Sequence, residues 1–80
     1  MELGVLLFGI AREIAGASKI HLDISPGTSV GEVKKKLVHQ FPDFNKLRSL
    51  NFAVNEEYVK DDFTLHESDE LVIIPPVSGG

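Results

Sequence analysis

Only one stretch of this chain repeats its apolar residues at helical spacing over about three turns. It is "SPGTSVGEVKKKLVHQF", in which Val30, Val33, Leu37, Val38 and Phe41 fall on one face. Pro26-Gly27 punctuates the chain before it, Ser29 is placed to cap it, Glu32 three residues later completes a capping box, and Pro42 ends it. A single amphipathic helix has one apolar face to bury. In 80 residues without a second such helix, the covering surface must come from strands. Lys34-Lys35-Lys36 lies outside the stripe and reads as solvent-facing, with an anion site as the alternative.

The strands are legible on both sides of that helix. Leu3 to Phe8 is a short apolar run that presents Leu3, Val5 and Leu7 to one side and Leu6 and Phe8 to the other. Gly9 breaks it, and "IAREIAG" is long enough for about two helical turns with Gly16 as the C-cap. "KIHLDI" alternates Ile20, Leu22 and Ile24 with polar residues, so it reads as a half-buried strand able to pair antiparallel with the first. After the main helix, Phe44, Leu47 and Leu50 recur every three residues, which one irregular turn explains. "FAVN" is a short strand, Asn55-Glu56-Glu57 a turn, Tyr58 to Lys60 a further extended piece, and "LVIIPP" the closing strand. The order is a ββαββ frame, an α+β fold with a sheet covered on one face by one main helix. If Leu7 and Ile73 face that helix, Phe8 and Ile74 lie on the uncovered face, with Tyr58 a further candidate. An apolar patch there marks a protein interface; partial cover by loops is the alternative.

Charge and composition narrow the function classes. The formal net charge of -4 disfavours a general grip on nucleic-acid phosphates, so no nucleic-acid partner is expected. Glu56, Glu57, Asp61, Asp62, Glu67, Asp69 and Glu70 crowd one segment, whereas all the basic residues but Lys60 lie between Arg12 and Arg48. The absence of cysteine excludes disulfides, thiolate metal sites and a catalytic thiol, and fits a reducing cytosol. "LGVLLFGIA" lacks the basic flank of a signal peptide, and no window approaches a membrane span, so a cytoplasmic, non-membrane protein is expected. His21, His39 and His66 have no ligand spacing, and no nucleophile elbow or phosphate loop is present.

What remains is the ending, "VIIPPVSGG". Pro75 and Pro76 favour extended backbone, holding Val77, Ser78, Gly79 and Gly80 away from the body. Two glycines make a strand thin enough to enter a narrow channel, with a carboxylate at its tip. A carboxylate is a poor electrophile, so chemistry at Gly80 requires activation as an acyl phosphate or adenylate by a partner enzyme. A terminal Gly-Gly also arises by truncation, and the residues alone leave that open.

Four segments carry a resemblance across nearly the whole chain: "VLLFGIAREIAG", the helical Val30, Val33 and Leu37, "FAVN" at Phe52 to Asn55, and "SDELVIIPPVSGG". In these the chain resembles the MoaD family of ubiquitin-like β-grasp sulfur carriers, the small subunits of molybdopterin synthase. It departs from that pattern at Ser68, where the family commonly has glycine, and this bears on a local turn. The resemblance implies a mixed-sheet β-grasp domain over residues 1–74 and an extended tail over 75–80. It implies that a MoeB-like adenylyltransferase, related to ubiquitin-activating enzymes, uses ATP and magnesium to adenylate Gly80. A sulfur donor then leaves a thiocarboxylate, and the tail enters a MoaE-like large subunit that transfers the sulfur to a pyranopterin precursor of molybdenum cofactor. No permanently bound cofactor is implied, only covalent sulfur on Gly80. Phe8, Tyr58 and Ile74 correspond to the hydrophobic docking patch, and Arg12 to the family's arginine after the first strand, with a surface ion pair as its other role. The active assembly implied is a heterotetramer in which the large subunit holds the catalytic side chains. The competing functions are a carrier for another pathway such as thiamine biosynthesis, a ubiquitin-like modifier conjugated through Gly80, and a noncatalytic interaction domain.

Overall fold

The computed structural model describes residues 1–47 and 50–74. Pro75 to Gly80 lie outside the described residues, as do Arg48 and Ser49. The chain runs β1 (Glu2–Leu7), α1 (Gly9–Ala15), β2 (Lys19–Asp23), α2 (Val30–Gln40), a 3-10 helix (Pro42–Lys46), β3 (Asn51–Val54), β4 (Glu57–Val59) and β5 (Glu70–Ile74). Three strands follow α2 where the ββαββ frame had two, because the extended piece around Tyr58 pairs fully with β3 as a sheet edge.

The five strands form one sheet in the order β2-β1-β5-β3-β4. The β1/β2, β3/β4 and β3/β5 pairs are antiparallel, while β1 and β5 run parallel in the centre. A central parallel pair needs cover and long crossovers, and the helices supply both. Both helices lie on the same side. Ala11 of α1 and Val30, Val33 and Leu37 of α2 join Leu3, Val5, Leu7, Leu71 and Ile73 in one core, and each of these is fully buried. The alternation read from the sequence therefore decides which residues enter that core.

The ends of α2 show why this segment is helical here and nowhere longer. Ser29 is the N-cap, and its Oγ accepts from the Glu32 N–H at 3.3 Å. Only this half of the expected capping box forms, since the Glu32 carboxylate accepts instead from the Ser29 hydroxyl at 3.4 Å. The other leading N–H groups are taken by the Asp61–Phe63 loop: Val30 donates to Phe63 O at 2.9 Å and Gly31 to Asp61 O at 2.8 Å. A Cβ on Gly31 would sit 3.2 Å from that Asp61 oxygen, so glycine permits the close approach. At the other end Pro42 opens the 3-10 helix, whose three-residue period explains the spacing of Phe44 and Leu47. Phe44 is 2% exposed and meets the Phe41 ring edge-on, with centroids 6.0 Å apart.

The β3–β4 turn is tighter than the three residues read as turn. Val54 pairs with Glu57, leaving Asn55 (φ 52°) and Glu56 (φ 71°) as a two-residue connection with both residues left-handed. Ser68 sits in a turn without a positive φ, so a glycine there is not a conformational requirement. That turn is held by Asp69, whose carboxylate accepts from the His66 N–H at 2.8 Å and from the Asn55 side-chain amide at 3.2 Å.

Candidate functional site

The sheet face opposite the helices carries the apolar side chains that the core does not use. Strand pairing aligns Lys19, Leu6, Val72, Ala53 and Tyr58 in one row across β2, β1, β5, β3 and β4. Directly paired residues point to the same face, so Leu6, Val72, Ala53 and Tyr58 form a continuous apolar band. One pleat further along, Ile74 pairs with Asn51, and Phe8 falls level with Ile74, one step beyond the Leu7/Ile73 pair. Phe8 is 56% exposed and Tyr58 73%, whereas Leu6, Val72 and Ile74 are half-buried.

Local backbone explains the exposure of Phe8. It is the N-cap of α1 in extended conformation, and its carbonyl accepts from the Ala11 N–H at 3.1 Å. Gly9 then takes φ 56°, a left-handed value that turns the chain sharply into the helix. The next apolar residue, Ile10, is 40% exposed at the same corner. Such a cluster of large exposed apolar side chains is rare on a chain that has no partner.

Of the residues singled out from sequence, Phe8 and Ile74 lie side by side, and Tyr58 lies two strands from Ile74, roughly 10 Å across the sheet, and three from Phe8. Leu6, Val72 and Ala53 fill the gap. Parity already put Leu6 on this side, and Val72, one alternation before Ile74, follows it; only the register shows that they link Phe8 to Tyr58. Arg12 is not part of the band; it lies exposed on α1, lining a shallow hollow with Gly9, Ile10, Glu13 and Gly16. Among the described residues it makes no ion pair. The tail residues Pro75, Pro76, Val77, Ser78, Gly79 and Gly80 lie outside the described residues, but β5 delivers the chain to them at Ile74, beside Phe8. Among the described residues no cluster of three or more His, Asp or Glu could hold a metal, and no helix is long and apolar enough to cross a membrane.

Comparison with known proteins gives this geometry its context. The ThiS family model matches residues 5–80. The chain belongs to the ThiS family. Within it, the Arabidopsis thaliana molybdopterin synthase sulfur carrier subunit is 41% identical over 81 residues, covering 100% of this chain and 84% of that protein. The fold of this ThiS-family chain is the ubiquitin-like β-grasp expected from the resemblance. The crystal structure of SAMP1 from Haloferax volcanii superposes with a TM-score of 0.85 at 26% identity, covering 100% of both chains. A complex of subunits 1 and 2 of molybdopterin-converting factor from Helicobacter pylori contains a chain that superposes with a TM-score of 0.70 at 21% identity, again covering 100% of both.

Proposed function

We propose that this chain is the sulfur-carrier small subunit of a molybdopterin synthase. The observation that carries the proposal is its similarity, at 41% identity over 100% of this chain, to a sulfur carrier subunit of that synthase.

The physical arrangement supports the same reading. The exposed band around Phe8 and Ile74 adjoins the point where β5 hands over to the tail, so a partner that grips the band receives the tail in a fixed position. Six residues at full extension span at most about 20 Å, which bounds how far from the docked face the reacting carbonyl can be presented. Docking on a preformed sheet face adds no ordering cost from the band itself.

The chemistry proposed at Gly80 begins with adenylation of its carboxylate by a partner enzyme using ATP and magnesium. Sulfur from a donor displaces AMP, and the resulting thiocarboxylate is the nucleophile toward the pterin precursor. The catalytic side chains belong to the large subunit, and the carrier acts as cosubstrate. We place this cycle in the cytoplasm, which suits a chain without cysteine.

Intact mass spectrometry after incubation with an adenylyltransferase of this type, ATP and a sulfur source tests the proposal. A gain of about 16 Da localised to Gly80, the exchange of oxygen for sulfur, is expected, and deletion of Gly80 abolishes it. An unmodified carboxylate in the presence of a competent activating enzyme, together with this chain's C-terminal segment in isopeptide linkage to lysines of other proteins, would establish a modifier instead.

A further inference from the structure

A polar feature distinct from the apolar band lies at the free edge of β2, beside the end of the row that Lys19 begins. Backbone hydrogen bonds fix which way that strand points. Ile24 donates to Met1 O at 2.8 Å, and Leu7 donates to Ser18 O at 2.9 Å, with Leu3 opposite Leu22 and Val5 opposite Ile20 between them. In an antiparallel pair the bonded residues alternate, so residues 18, 20, 22 and 24 bond to β1. The N–H and C=O groups of Lys19, His21 and Asp23 therefore point away from the sheet.

Alongside this edge runs an open groove of about 560 Å³, lined by His21, Leu22, Asp23, Lys35, Lys36, His39 and Gln40. Lys36, His39 and Gln40 lie at helical i, i+3, i+4 spacing, so one side of α2 overhangs β2 along the groove. The Lys36 ammonium reaches down to the Asp23 carbonyl at 3.4 Å, one of the edge acceptors. Among the described residues no carboxylate pairs with Lys35 or Lys36, while the Asp23 carboxylate faces the N-terminal ammonium at 3.5 Å. The opposite edge of the sheet, β4, has the reverse character, with Glu56, Glu57, Asp61 and Asp62 against the single cation Lys60 in the segment around it. The two edges thus differ in sign, and only the β2 edge combines unpaired backbone groups with a basic wall.

We propose that this groove binds an extended acidic peptide segment of a protein partner, added as a sixth strand on β2 beneath α2. The outward groups of Lys19, His21 and Asp23 supply main-chain hydrogen bonds, and alternate side chains of the peptide turn toward Leu22 and α2. Lys35 and Lys36 select acidic over neutral or basic segments, because a like charge in the same groove is repelled. Lys36 is held at the Asp23 carbonyl by an exposed contact and is displaced when the peptide N–H takes its place.

The test uses the full chain and a fluorescein-labelled peptide of about eight residues alternating valine with glutamate, long enough for one strand. A second peptide of the same length and charge has its two central valines replaced by proline, which cannot add to a ladder. Anisotropy is expected to rise for the first peptide only. ¹⁵N chemical-shift changes are expected at Lys19 to Asp23 and Lys35 to Gln40. The double substitution Lys35→Glu, Lys36→Glu is expected to weaken binding about tenfold while leaving the spectrum of the folded chain in place. No binding at about 1 mM peptide overturns the proposal. Equal binding of the proline peptide overturns it as well, since attraction without strand addition is sufficient for that result. Shifts at both β2 and β4 that grow with protein concentration in the absence of peptide would assign the edge to a second copy of this chain.

Discussion

Leu71 and Val72 are neighbours on one central strand, yet they belong to different parts of the molecule. Leu71, opposite Val5 and Val54, is fully buried beneath the helices, while Val72, opposite Leu6 and Ala53, lies half-buried on a face that no helix covers. Both sides are apolar. The inner side is apolar because the fold requires it, since α2 and the sheet have no other surface to bury. No such requirement applies to the outer side, which is why its apolar band is read as a docking face. Stability and binding are thereby divided between alternate residues of the same strands.

The largest effect that would break this division is on stability. Leu71→Ala removes buried methyl groups from a close-packed core and is expected to cost about 2–5 kcal/mol, a large part of the roughly 5–15 kcal/mol available to a small domain. Val72→Ala is expected to cost about 1 kcal/mol or less, because part of the side chain is already in water. Urea unfolding of both variants compares them directly. Equal losses would mean that the outer face is a second core.

Phe8→Asp reverses the comparison. With more than half of Phe8 exposed, unfolding free energy is expected to change by about 0.5 kcal/mol or less. Affinity for the large subunit is expected to fall at least about thirtyfold, equivalent to about 2 kcal/mol, since a carboxylate would be buried unpaired in an apolar contact. Titration calorimetry with the large subunit measures this. Unchanged affinity in a folded variant would remove Phe8 from the docking face.

How much of this was legible in the sequence depends on the range of the interaction involved. The α2 stripe, the Ser29 cap, the Gly16 C-cap and the inward Leu3, Val5 and Leu7 are local features, set by period and by cap chemistry within a few residues. The strand order is not local. That β1 lies parallel to β5 follows from crossovers spanning most of the chain, and only this pairing brings Leu6, Val72, Ala53 and Tyr58 into one row. Asp69 was missed for a similar reason. Its two hydrogen bonds join the turn before β5 to Asn55 in the β3–β4 turn, and no short spacing announces such a link. The tight Asn55-Glu56 connection was not legible because the sequence lacks the Asn-Gly or Asp-Gly pair that ordinarily marks a two-residue hairpin.

The smallest effect concerns the polar margin of the outer face. Lys19 crosses over Gly4, its Cε 3.4 Å from where a glycine Cβ would stand, and its ammonium lies 3.5 Å from Glu70 on β5. Both side chains are about half exposed, so water and salt screen the pair heavily. Glu70→Gln is therefore expected to cost only a few tenths of a kcal/mol at low salt, with the difference vanishing near 1 M NaCl. Unfolding curves at the two salt concentrations decide it. A loss above about 1 kcal/mol that survives high salt would show the outer face holding its polar groups as tightly as a buried site does. The division between a structural inner face and an outer face left open for partners would then have to be redrawn at the β2 side of the sheet, where Lys19 begins the row.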